Sequence, residues 1–446
     1  MTDHRQFTRR HFLKAAALTA SAPLILPSHV WAADADAKPN AKIVMGFIGV
    51  GTQGRGLLGG FLHSEDVQVV AICDVDANRR DYNIKKVQEF YSKKTGQEYK
   101  GVTGYGDFRE VLNRSDINAV CIATPDHWHA IPVITACEKG KDIYCEKPMS
   151  LTIAEARAMA NAVRKHDRVF QTGSMQRSDS AFLKGCELVR NGAIGKVKEV
   201  YVSVGGPSKW CDLPEEAMEP GLDWDFWLGP APKRPYNSVL SPRRDLEKIV
   251  HQHFPNWRNY REYSGGMMTD WGAHHFDIAQ WGLGMDESGP VEIIPPDGKD
   301  VKRLTYKYAN GVTMYHGGLQ GYNFGCVFVG ENGKVCVDRG RFKTDPESLG
   351  AEYKPGSLPI KLYKSSNHLV DFLKCVRSRQ RPICDVEVGC RSVTVCHLGN
   401  HAYWNKRPLK WDPKAERFIG DDEANTWRDR ERRAPWQGTI GNYWKA

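Results

Sequence analysis

From Lys42 onward the chain alternates short apolar runs with longer mixed segments, which predicts strands and helices in turn. Lys42 to Val50 and Val67 to Cys73 are strand-length and apolar almost throughout, as strands covered on both faces are. A polar stretch to about Lys94 and a short segment from Phe108 to Asn113 read as helices. Strand Ile117 to Ala123, helix Ile131 to Lys139, strand Asp142 to Cys145 and helix Ile153 to His166 continue the pattern. Strands alternating with helices predict a doubly wound parallel sheet, an α/β Rossmann domain over residues 42–167.

The rhythm changes from about Arg168. Strands Val197 to Val204, Arg303 to Tyr308 and Val312 to His316 follow without helices between them, and Asn310-Gly311 is a strong hairpin signal. Residues 168–404 therefore predict an α+β domain with a mostly antiparallel open sheet. Within it, Pro207 to Tyr263 is long and rich in Trp, Pro and Arg. Such a segment is either a lid over a site or padding at a seam between domains, and its Trp faces beside Arg and Asp also suit a carbohydrate. Residues 405–446 form a tail with Trp411, Trp427, Trp436 and Trp444 and no usable periodicity.

The first 33 residues are of another kind. Thr8-Arg9-Arg10-His11-Phe12-Leu13-Lys14 precedes an Ala-rich apolar run, Ala15 to Leu26, and a small-residue exit near Ala32-Ala33. The run is shorter than the roughly 20 apolar residues a bilayer span needs, so a processed export signal is expected and a stable membrane anchor is not. The paired arginines before Phe-Leu-Lys resemble a twin-arginine signal, which implies export of a folded protein to the periplasm or an equivalent compartment. Residues 34–41 read as a linker. The signal also alters the charge: removing its four cations and one anion takes +9 to +6. No compact basic stretch lies beside stacking aromatics, so no nucleic-acid partner is expected. Twelve Cys contain no C-x-x-C pair and mostly sit in apolar runs as free thiols. Cys375, Cys384, Cys390 and Cys396 are the one cluster where a bridge is conceivable.

The chemistry-bearing residues fall at strand ends. The first strand runs into Gly49-x-Gly51-x-x-Gly54, whose glycines permit a tight turn, close approach to a pyrophosphate and close helix packing. Asp74 ends the second strand 20 residues beyond Gly54 and suits both hydroxyls of an adenosine ribose. It favours NAD over NADP, though Arg79 and Arg80 keep NADP open. Thr124-Pro125-Asp126-His127-Trp128-His129 and Glu146-Lys147-Pro148 follow later strands and belong beside the nicotinamide. In Ser264 to Asp277, Asp270 and His274 stand at i and i+4, so the carboxylate is placed to orient the imidazole. No metal site is expected: His274 and His275 diverge on a helix, and only the distant His251-x-His253 could join them.

Together these motifs, spread over most of residues 42–404, resemble the Gfo/Idh/MocA family, named for glucose-fructose oxidoreductase, inositol dehydrogenase and rhizopine catabolism. The resemblance implies a nicotinamide-dependent oxidoreductase acting on CH-OH groups of sugars, with a homo-oligomer, dimer or tetramer, built on the open sheet. It implies a catalytic trio of Lys147, Asp270 and His274, with Lys147 polarising the reacting hydroxyl and His274, held by Asp270, moving its proton. The nucleotide site comprises Gly49, Gly51, Thr52, Gln53, Gly54, Asp74, Thr124, Pro125, His129, Glu146 and Lys147. Saccharide contacts are expected from Arg177, Trp210, Arg258, Asp270 and His274. Outside the cytoplasm free NAD is scarce, so the expected cofactor is non-dissociating and regenerated in each cycle. An exported pyranoside or polyol oxidoreductase is the leading expectation. A redox-assisted glycoside hydrolase or lyase is the alternative, although the branch acting on N-acetylgalactosaminides carries a different His motif. A non-catalytic sugar-binding protein is the third.

Overall fold

The computed structural model describes residues 42–444 except 244, 249–253, 323–324, 352 and 354–357. The predicted signal and linker, residues 1–41, and His251-x-His253 lie outside the described residues. The first apolar runs become β1 (Ile43–Ile48), β2 (Val67–Cys73), β3 (Thr103–Tyr105), β4 (Ala119–Ile122), β5 (Asp142–Cys145) and β6 (Phe170–Thr172). They form one parallel sheet in the order β3-β2-β1-β4-β5-β6. The last strand lies beyond residue 167, so the first domain extends further than the sequence suggested; three residues are too few to show a period.

Helices α1 (Thr52–Leu62), α2 (Ala77–Thr95), α3 (Phe108–Asn113), α4 (Ala130–Glu138) and α5 (Ile153–Lys165) are the Rossmann helices. Phe47, Phe61 and Tyr144 belong to one core cluster, while Val120, Ile134 and Phe170 belong to another. Strand order reverses between β1 and β4, and a crevice opens there at the carboxyl ends. Register sets its floor. Ile48 pairs with both Cys73 and Ile122, and Ile122 pairs with Cys145. Gly49, Asp74, Ala123 and Glu146 therefore leave their strands at one level.

The second sheet contains β7 (Val197–Val202), β8 (Glu292–Ile294), β9 (Thr305–Lys307), β10 (Thr313–His316), β11 (Cys326–Gly330), β12 (Lys334–Asp338), β13 (Arg341–Asp345), β14 (Leu409–Asp412) and β15 (Arg417–Phe418). Their order is β13-β12-β11-β7-β10-β9-β8-β14-β15. Every described pairing is antiparallel except β7 with β10. The Asn310-Gly311 turn joins β9 to β10, with Gly311 at φ +87°. Helices α6 (Ser180–Arg190), α9 (Gly272–Leu283) and α11 (Val386–Asn405) pack on this sheet through Phe182, Phe276 and Leu398. Helix α10 (His368–Ser378) instead lends Phe372 and Leu373 to the Rossmann core. Among the described residues no helix is long and apolar enough to cross a membrane.

Two segments without periodicity prove to be packed. Between Pro207 and Tyr263, short helix α7 (Trp224–Leu228) with Leu240, Trp257 and Tyr263 forms a buried cluster of its own. The predicted tail first supplies β14 and β15. It then crosses back, where Arg430 and Arg432 pair with buried Glu155 of α5 at 2.9 Å. Trp436 inserts between Phe108, Trp128 and Phe226 at centroid distances of 6.3, 4.9 and 5.8 Å. All twelve Cys are free thiols, so the cluster from Cys375 to Cys396 holds no bridge. Trp436→Ala should leave a cavity where three elements meet. It is expected to cost about 3–5 kcal/mol, read as a lower denaturation midpoint; an unchanged midpoint would show that the tail adds nothing to the fold.

Candidate active site

Gly49, Gly51, Thr52, Gln53, Asp74, Thr124, Pro125, Glu146 and Lys147 line one cleft over the strand ends. Gly54 and His129 stand behind it. A Cβ on Gly54 would meet the Gly49 carbonyl oxygen at 2.1 Å, so this glycine lets α1 start against the turn. His129 is fully buried, with ring nitrogens 2.9 Å from the Thr124 carbonyl and 2.8 Å from that of Pro148, tying the two strand-end segments together. Gln53 donates to Glu146 at 3.0 Å and closes the floor between β1 and β5.

The cleft suits a dinucleotide on several counts. A Cβ on Gly51 would meet nothing within 4 Å, so backbone faces open space. No side chain caps the N-terminus of α1, and no acidic residue stands in its first turn, which leaves a site favourable to phosphate. The Thr124 hydroxyl and Arg55 Nε, on residues that line the cleft, are buried without a protein partner. Asp74 accepts the backbone N–H groups of Val50 and Asp76, each at 2.9 Å, which fixes its carboxylate in the cleft wall at the end of β2. Burial pushes its pKa up, against the pull of Arg79. Arg79, held by the Pro242 carbonyl at 3.0 Å, lines the same end.

At the opposite end Lys147 Nζ donates to the Asp270 carboxylate at 2.9 Å and to the Asp270 carbonyl at 3.1 Å. Arg258 Nε donates to the same carboxylate oxygen at 3.0 Å, its guanidinium lying 4.2 Å from the Trp257 ring centre. Burial alone would raise the Asp270 pKa, yet Lys147 and Arg258 hold it well below the usual carboxylate range. An ammonium has three N–H groups, and two are spent here, so one remains for a substrate oxygen.

The expected Asp270–His274 bond is replaced by these two cations. Locally, α8 (Met267–Asp270) ends at Trp271, and the His274 N–H bonds the Trp271 carbonyl, three residues back, at 3.0 Å. Trp271 keeps helical dihedrals, φ −85° and ψ −28°, so His274 stays near Asp270, but the carboxylate is taken by the cations. Burial, then the Lys147 and Arg339 charges, push the His274 pKa far down and leave a neutral imidazole with Nδ1 buried and unpartnered.

Of the expected saccharide contacts, Arg258 lines the cleft; Asp270 and His274 are not among its lining residues and adjoin it through Lys147 and Arg258, and Arg177 does not line it either. Arg177 is 2% exposed, bonded to Asp277 at 2.8 Å and Asp286 at 2.6 Å, so its donors are consumed inside the second domain. Trp210 is outside the cleft and 62% exposed. The Pro207 to Tyr263 segment, read as a lid or a seam, covers the cleft with Phe226, Trp227, Leu240, Phe254 and Trp257, and Asp126 of the segment expected beside the nicotinamide lines it, though it was not singled out as a site residue. Asp126 lines the cleft, accepts the Ser264 hydroxyl at 2.6 Å, and has its pKa pushed up to about 7 by burial. Its place in the Thr-Pro-Asp-His segment was the only signal.

Residues 43–174 match the Gfo/Idh/MocA model described as oxidoreductase family, NAD-binding Rossmann fold, and residues 187–438 match the family's C-terminal alpha/beta domain. The chain belongs to the Gfo/Idh/MocA oxidoreductase family. Among family relatives, it is 23% identical over 383 residues to a myo-inositol 2-dehydrogenase of Thermotoga maritima, covering 81% of this chain and 98% of that one. It is 32% identical over 211 residues to a glycosyl hydrolase family 109 protein of Shewanella pealeana, covering 43% and 44%. The chain thus spans under half the length of that hydrolase. The fold is shared with the WlbA dehydrogenase from Bordetella pertussis, solved with NADH and UDP-GlcNAcA, at TM-score 0.57 and 16% identity over 83% of this chain and 98% of that one. It is shared likewise with the aldose-aldose oxidoreductase from Caulobacter crescentus, at 0.55 and 18% over 83% and 99%.

Two outcomes follow from this geometry. Gly51→Val should fold normally yet weaken NAD binding at least about tenfold in a fluorescence titration, because its side chain enters the phosphate space. Asp126, raised from 3.8 to about 7, keeps a proton in the fold that the unfolded chain releases. Its contribution is fully present below pH 3.8 and lost as pH rises through about 7. Asp126→Asn should therefore gain melting temperature relative to wild type between pH 4.5 and 7.5; a relative loss across that range would contradict the assignment.

Proposed function

We propose that the chain is an exported oxidoreductase acting on a carbinol carbon of a pyranoside or polyol, with tightly held NAD. The observation that carries this reading is the Lys147–Asp270–Arg258 cluster beside neutral His274 at one end of a dinucleotide cleft. Bound there, a nicotinamide supplies the hydride acceptor. The spare Lys147 N–H binds the substrate hydroxyl oxygen and stabilises the negative charge that develops on it. His274, neutral at rest, accepts the hydroxyl proton; the Lys147 and Arg339 charges that keep it neutral also weaken it as a base, so the transfer relies on the acidity that Lys147 lends the hydroxyl. Asp270 holds Lys147 and Arg258 in place, and the aromatic cover excludes water. The polyol named for the Thermotoga relative and the aldoses named for the Caulobacter structure support the substrate class. Retained NAD follows from the export signal read at residues 8–14, since a cofactor loaded before export has no pool to exchange with. Asp74 favours NAD, with Arg79 the residue that would admit NADP.

A second reading, NAD-dependent glycoside cleavage, draws on the 32% identity to the family 109 hydrolase. Both readings begin with hydride abstraction and part afterwards. Protein purified from its own compartment should release NAD on denaturation. Reduction of that nucleotide by sugars without aglycone release from aryl glycosides supports the oxidoreductase, and aglycone release supports cleavage. Lys147→Met should slow either reaction by about 10²–10⁴-fold. A variant as fast as wild type would remove Lys147 from the chemistry.

A further inference from the structure

Three residues from Arg258 stands a half-buried arginine held by aromatic rings. Arg261 lies between two tryptophan rings, its guanidinium carbon 3.8 Å from the Trp404 ring centre and 4.6 Å from that of Trp210. Among the described residues its side chain makes no ion pair or hydrogen bond. The adjacent carboxylate, Glu262, is turned away to accept the Cys211 N–H at 3.1 Å. Burial lowers the Arg261 pKa against the pull of the nearby Glu262 charge, so the cation is partly desolvated, stacked on two aromatic faces and not directly bonded to a carboxylate.

The assembly is held stiffly. Trp404 lies in the last turn of α11, and its indole N–H donates to the Ser208 carbonyl at 2.9 Å. The backbone of Lys209 bonds Asn259 at 3.0 Å and Arg261 at 2.7 Å, which presents Trp210 across from Arg261. One face of Trp210 rests on the guanidinium, and the ring is 62% exposed. A guanidinium stacked by its face keeps its N–H edge for a planar, bidentate anion. The free face of Trp210 suits the C–H face of a pyranose. Arg258, which binds Asp270, is three residues away, at most about 11 Å between Cα atoms.

We propose that Trp210, Arg261 and Trp404 form a saccharide subsite next to the reaction centre that selects a sugar unit bearing a carboxylate. This rests on the saccharide reading above, and the test separates the two. Titration calorimetry on the intact protein with methyl β-glucuronide and methyl β-glucoside should give at least about tenfold tighter binding of the glucuronide. Trp210→Ala, an exposed change that leaves the melting temperature in place, should weaken glucuronide binding several-fold, and Arg261→Lys should shrink the preference for the charged sugar. Equal affinity for the two glycosides, or glucuronide binding untouched by either variant, overturns the subsite. So does a loss of oligomer in Trp210→Ala without any glycoside binding, which would assign the ring to a contact between copies. If neutral sugars reduce the bound nucleotide while glucuronide fails to bind, the subsite falls and the oxidoreductase stands. Glucuronide binding that depends on both residues, with no nucleotide reduction by any sugar, leaves the subsite and sinks the oxidoreductase.

Discussion

One carboxylate oxygen of Asp270 receives both Lys147 and Arg258, and the site depends on that sharing. The three residues come from different places: the end of β5, the aromatic cover and the turn into α9. Each cation would be costly to bury alone, and Asp270 would be costly to bury between neutral neighbours. Together they hold the strand-end crevice, the cover and the second domain in one geometry. That geometry leaves one Lys147 N–H facing the cleft and keeps a neighbouring imidazole neutral.

The aromatic cover has its own support. Trp227 and Trp257 pack with Tyr263 and Leu240 into a core separate from the two sheets. Phe226 turns the other way, stacking on Trp128 at 5.3 Å and meeting Trp436 of the tail at 5.8 Å. The tail thus buttresses the cover from the Rossmann side, while Arg430 and Arg432 pin it to Glu155. Residues far apart in the chain fix the wall that dries the cleft.

The parallel sheet was legible because its strands are apolar on both faces and its glycines have single uses: Gly49 at φ +82° for the turn, Gly54 for close packing, Gly51 for open space. The cleft residues were legible because the topology brings strand ends to one level. What escaped has physical causes. The Asp270–His274 pairing was read from the local period, and the carboxylate instead meets cations more than a hundred and only a dozen residues away, separations no local period encodes. Arg177 looked available until Asp277 and Asp286 enclosed it. The tail and the cover follow no period because each buries side chains against several elements at once.

In the proposed reaction Lys147 acts through a position set by Asp270. The direct test is the rate of bound-nicotinamide reduction, followed by its near-ultraviolet absorbance after mixing with substrate. It should be compared in wild type, Asp270→Asn, Lys147→Met and the double variant. Residues acting as one unit give non-additive losses, so the double variant should be no slower than Lys147→Met alone. Losses that multiply in the double variant would instead place the two side chains in separate roles.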